Sequence, residues 1–352
     1  MMMKLGVSRL NELFALISGD RSLYMPLHIN DVTEFGKWNA ENSVPALDKL
    51  NTVRSAKDFF FPQSEDIVSF KRSGKEITIE DSREQNEPFA VFGVRSCDAK
   101  SLEILDRVFL SDPVDTFYKG RRENAVVITA ACFKPEETCF CASFDIDPVS
   151  PGGDISTWLL ADTLYWESHT EKGNELTGKL KALLQAADAN DEKLIASEKA
   201  KAKEVLAKLP FNGVKFEKQP KEKHMEIFNS PQWAELNPTC LGCGTCTFIC
   251  PTCHCYDIQD FDTGSGVKRF RCWDSCMYSD FTLMAHGNPR LSQLERFRQR
   301  YMHKLVYFPD NNEGVTACVG CGRCVGKCPV SINIVKVAKA LGAKVKEGVK
   351  NV

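Results

Sequence analysis

The sequence predicts an α+β (or α/β) N-terminal domain, residues 1–220, followed by a mostly α-helical domain, residues 231–352. Three observations carry this. Apolar runs at 88–94 and 125–131 read as buried strands, with helical spacing at Leu102, Ile104, Leu105, Val108 and Phe109 between them. Residues 173–220 become rich in Lys, Ala, Glu and Leu and close on a connector at 211–220, which reads as a boundary. Beyond residue 231, apolar residues recur at helical intervals around two cysteine runs of identical pattern.

In chain order, residues 1–18 read as an amphipathic helix, with Leu5, Val7, Leu10, Leu13, Phe14 and Ile17 on one side. Residues 23–36 are mixed and 52–60 ambiguous. The alternation Glu76-Ile77-Thr78-Ile79-Glu80 reads as a strand. After 88–94, Arg95-Ser96-Cys97-Asp98 opens the helix, with Ser96 or Asp98 as its cap. Residues 157–168 read as a strand pair. Leu176, Leu180, Leu183 and Leu184, then 195–209, read as helices with solvated charged faces. Residues 252–317 are far longer than a hairpin between the cysteine runs needs. They carry helical patterns at 281–284 and at Leu291, Leu294, Phe297, Tyr301 and Leu305. Residues 332–341 add another helix.

The cysteine runs are Cys240-Leu241-Gly242-Cys243-Gly244-Thr245-Cys246-Thr247-Phe248-Ile249-Cys250-Pro251 and Cys318-Val319-Gly320-Cys321-Gly322-Arg323-Cys324-Val325-Gly326-Lys327-Cys328-Pro329. Both read C-x2-C-x2-C-x3-C-P, the bacterial ferredoxin run, whose fourth cysteine ligates the other run's cluster. Three thiolates fit one tight loop around a cube and the fourth must arrive from elsewhere. This assigns Cys240, Cys243, Cys246 and Cys328 to one [4Fe–4S] cluster, and Cys318, Cys321, Cys324 and Cys250 to a second. The glycines are expected where backbone approaches the inorganic sulfides. The bland alternative is two structural zinc sites, but zinc motifs pair C-x2-C units without this third and fourth spacing.

Of 16 cysteines, eight remain: Cys97, Cys132, Cys139, Cys141, Cys253, Cys255, Cys272 and Cys276. Cys97 and Cys132 follow the two buried strands, and strand ends of an α/β layer share one edge. Cys97, Cys132, Cys139 and Cys141 are therefore expected to converge as a third [4Fe–4S] site. Free buried thiols, a structural zinc and a redox dithiol are the competing readings. Cys253, Cys255 and Cys276 read as packing thiols near the clusters, or as a further metal site. Arg290, Arg296, Arg298, Arg300 and Lys304 read as exposed or acid-paired cations, or as a positive field beside anionic clusters or a docking face for an acidic partner.

Formal net charge is only −2, which excludes a nucleic-acid footprint. No apolar run approaches the ~18 residues of a membrane span. Lys4, Arg9 and Glu12 interrupt the N-terminus, so no secretory signal is expected. Many metal-type cysteines without an export signal point to a reducing, cytoplasmic and anaerobic setting. No G-x-G-x-x-G follows a strand, and neither a P-loop nor a nucleophile elbow is present, so no dinucleotide site is expected. The composition and motifs predict an electron carrier rather than a stand-alone enzyme.

Gly93-Val94-Arg95-Ser96-Cys97-Asp98-Ala99, then Cys132, Pro135 and Thr138-Cys139-Phe140-Cys141, resemble the β subunit of cytosolic sulfhydrogenases and the A subunit of anaerobic sulfite reductase. Pro251-Thr252-Cys253-His254-Cys255, Trp273-Asp274-Ser275-Cys276-Met277 and Arg298-Gln299-Arg300-Tyr301-Met302-His303-Lys304 are similar too, and the resemblance spans about residues 87–335. Ser96 stands where that family often has proline, and Phe144-Asp145 where it often has Met-Gly. The resemblance implies an iron–sulfur electron-transfer subunit of a cytosolic multi-subunit oxidoreductase. Its neighbours would be a flavin or NAD(P)H-type subunit and a catalytic subunit of hydrogenase, sulfite reductase or heterodisulfide-reductase type. A rival reading makes this chain catalytic, reducing sulfur compounds at Cys97, Cys132, Cys139 and Cys141. A third reading leaves the metals a purely structural role.

Overall fold

The computed structural model describes residues 1–48, 52–81, 83 and 87–343. Twelve strands are described, β1 (Met3–Gly6), β2 (Ser22–Ile29), β3 (Val32–Lys37), β4 (Ser64–Ser73), β5 (Glu76–Asp81), β6 (Phe89–Val94), β7 (Ala125–Ala130), β8 (Ile155–Leu160), β9 (Thr163–Ser168), β10 (Gln185–Ala186), β11 (Tyr256–Asp262) and β12 (Gly266–Trp273). Eight form one mixed sheet in the order β10-β1-β9-β8-β7-β6-β2-β3. Within it β2, β6, β7 and β8 run parallel. A parallel pair needs a crossover. The helices Ser96–Phe109 and Thr116–Asn124 supply it between β6 and β7.

The central strands β6 and β7 are buried on both faces, as their near-continuous apolar sequence requires. Ala90, Phe92, Val126 and Ile128 pack with Leu13, Phe14 and Ile17 of the helix Leu10–Ser18 and with Leu176 and Leu180. Val91, Val94, Ala125 and Val127 pack on the other side with Leu102, Leu105, Phe109 and Tyr118. The N-terminal half is thus a helix–sheet–helix sandwich, one of the two folds expected for it. The strands at 76–80, 88–94, 125–131 and 157–168 form as expected, and so do the helices through Leu176 and through Ile195.

Two expectations need correction. The first residues are not helical. Met3–Gly6 is a strand clamped between β9 and β10, and helix starts only at Leu10. Its apolar residues serve two elements, which one helical period had merged. The mostly helical character expected beyond residue 231 also fails in part, because β11 and β12 form a seven-pair hairpin there. That hairpin joins β4 and β5 in a four-stranded antiparallel sheet, so that Gly266 pairs with Lys71 and Cys272 with Ser64, far apart in sequence. Tyr256–Asp262 is exposed throughout, its apolar residues included, which hides the strand from a core-seeking search. Residues 281–284 form only a short 3-10 turn, Asp280–Thr282. The helix expected at 291–305 forms as Gln293–Met302, continued by a π-helical turn, His303–Tyr307.

Arg271 of β12 is buried and pairs with both Glu65 and Asp115, riveting the hairpin to the N-terminal half. Trp273 stacks on Phe61 at 5.8 Å between ring centroids and donates its indole N–H to the Phe61 carbonyl at 3.1 Å. Among the described residues no helix is long and apolar enough to cross a membrane.

Candidate metal centres

Both ferredoxin runs fold alike. In each, the third cysteine lies in a single helical turn, Thr245–Phe248 or Arg323–Gly326, entered through a left-handed glycine. Gly244 has φ 73° and ψ −10°; Gly322 has φ 77° and ψ −15°. This is the local two-fold likeness that the repeated spacing predicts. Cys250 lies close enough to Cys318, Cys321 and Cys324 to act on all three electrostatically, as a ligand lent by the first run to the second would. Cys240 and Cys328 line the apolar core built by Trp233, Phe297 and Tyr301.

The glycines do something the sequence did not indicate. A Cβ on Gly320 would sit 2.5 Å from the Phe140 carbonyl, and one on Gly322 would sit 2.6 Å from the Thr138 oxygen. The bareness of Gly320 and Gly322 lets the Thr138–Cys141 backbone come close. The Phe140 N–H donates to the Gly320 carbonyl at 2.8 Å, and the Cys139 sulfur lies 3.9 Å from the Cys321 carbonyl. The Thr138–Cys141 loop is therefore laid directly on the second run.

Cys97 enters that junction from the first turn of Ser96–Phe109, after β6, and Cys132 follows β7. Since β6 and β7 are parallel, both thiols leave from one edge of the sheet. Cys132, Cys139 and Cys141 act electrostatically on one another, and Cys97 acts with Cys321. All four are buried. Burial pushes the Cys139 and Cys141 thiols up to about 12, and Cys97 well above its ordinary value. Arg95 opposes the rise at Cys97, Cys132 and Cys139.

The cap expected at Ser96 or Asp98 is absent; Arg95 occupies the cap position without a side-chain bond. Asp98 instead pairs with Arg323, the residue between the second and third cysteines of the second run. The two contacts are 2.5 and 2.8 Å, with Asp98 only 1 % and Arg323 4 % exposed. Arg323 also donates to the Thr52 carbonyl at 3.0 Å and hydroxyl at 3.1 Å.

A second buried cationic group stands between the two runs. Lys304 donates to the Thr252 hydroxyl and the Ala317 carbonyl, both at 2.9 Å, while Thr252 contacts the Cys250 sulfur at 3.2 Å. Arg300 reaches the Cys253 sulfur at 3.9 Å, and its Nε is buried with no hydrogen-bond partner among the described residues. The charges that favour these two cations include the cysteines Cys246, Cys250, Cys253, Cys318 and Cys324, and no carboxylate. Exposure or acid pairing thus fails for Arg300 and Lys304. Buried charges require partners, so a guanidinium among thiols, with its Nε unmet, fits an anionic iron–sulfur cluster. Arg298, by contrast, stacks on Phe228 at 3.6 Å, and Arg296 binds backbone carbonyls. Among the described residues no three Cys, His, Asp or Glu side chains close on a single ion.

Residues 239–332 match the model of the 4Fe-4S dicluster domain, so the two runs and the hairpin between them belong to one iron–sulfur module. The whole chain is similar to Sulfhydrogenase 2 subunit beta of Pyrococcus furiosus, 34% identical over 333 residues that cover 93% of this chain and 94% of that one. The chain belongs to the sulfhydrogenase β-subunit family.

Proposed function

We propose that this chain is the iron–sulfur relay subunit of a cytoplasmic multi-subunit oxidoreductase. It passes single electrons between a flavin or NAD(P)H-type subunit and a catalytic subunit. Iron–sulfur cubes accept and donate one electron each, at potentials set by charge, hydrogen bonding and exposure. In this reading Cys240, Cys243, Cys246 and Cys328 hold one cluster, and Cys318, Cys321, Cys324 and Cys250 the second. Cys97, Cys132, Cys139 and Cys141 hold a third.

One observation carries the reading: the Cys139–Cys141 loop lies against the Gly320–Cys321 backbone, at 2.8 Å between Phe140 N and Gly320 O. Groups held by these loops are neighbours, and the first run adjoins the second through Cys250. Lys304, Arg300 and Arg323 supply fixed positive charge along this line and exclude water from it. The burial of Cys97, Cys132, Cys139 and Cys141 favours relay over an open substrate site.

The test is iron and sulfide quantitation on anaerobically purified chain, with paramagnetic resonance after dithionite. About twelve irons per chain is expected for three cubes, and Cys141→Ser should remove about four. About eight irons in the wild type, unchanged in the variant, would leave the N-terminal thiols without a cluster. The partner assignment is tested by purifying the native complex and identifying its chains.

A further inference from the structure

Cys255 and Cys276 serve none of the three proposed clusters, yet the fold presses them together. The neck of the hairpin does this. Tyr256, which opens β11, faces Trp273, which closes β12. Cys255 and Asp274 are the next residues outward, and the Asp274 N–H donates to the Cys255 carbonyl at 3.0 Å. The chain then turns. The buried Ser275 hydroxyl meets Thr247 at 2.8 Å and accepts the Met277 N–H at 3.1 Å. That turn returns Cys276 to Cys255. The Cys255 sulfur accepts the Cys276 backbone N–H and lies within hydrogen-bonding reach of the Cys276 thiol.

Cys255 faces Asp274 across the closed ladder, and the turn after Asp274 brings the Cys276 thiol back to the Cys255 sulfur, the approach a disulfide between them needs. Among the described residues no third Cys, His, Asp or Glu completes a single-ion site with this pair. Thr247, bonded to Ser275, is the neighbour of Cys246 in the first ferredoxin run, and Cys276 acts electrostatically on Cys246. The pair is therefore beside the relay without being part of its ligand set.

We propose that Cys255 and Cys276 form a reversible dithiol–disulfide couple charged by the neighbouring iron–sulfur relay. The electron source rests on the relay reading above. In reduction the Cys255–Cys276 S–S bond breaks, and each sulfur takes one electron and one proton. The two electrons come singly from reduced clusters and the protons from solvent. Oxidation reverses this and returns both electrons. The couple stores a pair of electrons where the relay carries them one at a time.

The anaerobic wild-type chain is equilibrated in glutathione buffers from fully reduced to fully oxidised. It is then acid-quenched, alkylated with N-ethylmaleimide and mapped by peptide mass. The expected result is a Cys255–Cys276 cross-linked peptide that appears on oxidation and returns to two alkylated thiols on reduction. Starting from the oxidised chain, dithionite titration should then consume two more electrons per chain in wild type than in Cys276→Ser, at equal iron content. Two alkylated thiols in every buffer would overturn the proposal, as would a loss of about four irons in Cys276→Ser, which would make the pair cluster ligands. A low iron count in wild type would sink the relay reading while leaving the disulfide mapping intact.

Discussion

The two ferredoxin runs share a spacing and a backbone trace but live in different surroundings. The second is an internal joint. The Thr138–Cys141 loop lies on Gly320 and Gly322, and Arg323 is locked to Asp98. The first faces outward: Cys243 is exposed, Leu241 is 64 % exposed, and a cleft of about 750 Å³ opens beside Leu241, Gly242, Tyr278 and Arg296. Equivalent positions carry different loads. Thr245 stands where Arg323 stands and makes only a 3.4 Å contact to the Cys243 sulfur. The difference teaches that the repeated spacing defines what the loops can hold, while their neighbours define where each loop sits in the molecule.

That contrast can be broken by matched substitutions. The largest effect is expected at Arg323→Met, which leaves the Asp98 carboxylate buried without its partner. A loss of about 3–5 kcal/mol is expected from removing one member of such a pair. Thr245→Val at the matching position should cost below about 1 kcal/mol. Anaerobic denaturant unfolding measures both, and equal losses would erase the distinction.

The glycines give a second matched comparison. Gly320→Ala adds a left-handed alanine and a backbone clash, and should cost about 3 kcal/mol or more. Gly242→Ala has the same handedness penalty, but its nearest neighbour is the Gln293 side chain at 3.6 Å, so about 1 kcal/mol is expected. Thermal unfolding of the two variants decides it. Thiol footprinting sharpens the picture further: in the iron-depleted chain Cys243 should be alkylated roughly tenfold faster than the buried Cys321, since exposure and thiolate character govern reactivity. The Thr245 hydroxyl beside Cys243 also lowers that thiol's pKa, whereas burial raises Cys321. The smallest effect belongs to Asp260→Ala, which breaks an exposed pair with Arg269 at 2.7 Å on the hairpin and should leave the unfolding midpoint essentially unmoved.

Much of the site was legible because thiol spacing is a local property. The ferredoxin runs, the cysteines that follow β6 and β7, and the helix after the second run could all be read along the chain. The hairpin could not, because its exposed strand buries no apolar residue to mark it and its partner β4 lies far away in sequence. The role of Asp98 was misread for the same reason. A carboxylate three residues after an extended Arg95 resembles a helix cap until Arg323, 225 residues on, claims it. For Arg300 and Lys304 the sequence leaves two readings open, surface or acid-paired charges and a positive field beside anionic clusters, because spacing alone does not show which charges are buried. Their burial follows from packing between two cysteine loops.

The sequence by itself determined the cluster-binding chemistry and the parallel-strand core, since ligand spacing and apolar runs act over a few residues. Only the tertiary structure decided which cations stand beside which thiols, that the Thr138–Cys141 loop rests on the second run, and that Cys255 meets Cys276. Those are contacts between distant segments, and they are set by register, loop packing and the need of each buried charge for a partner.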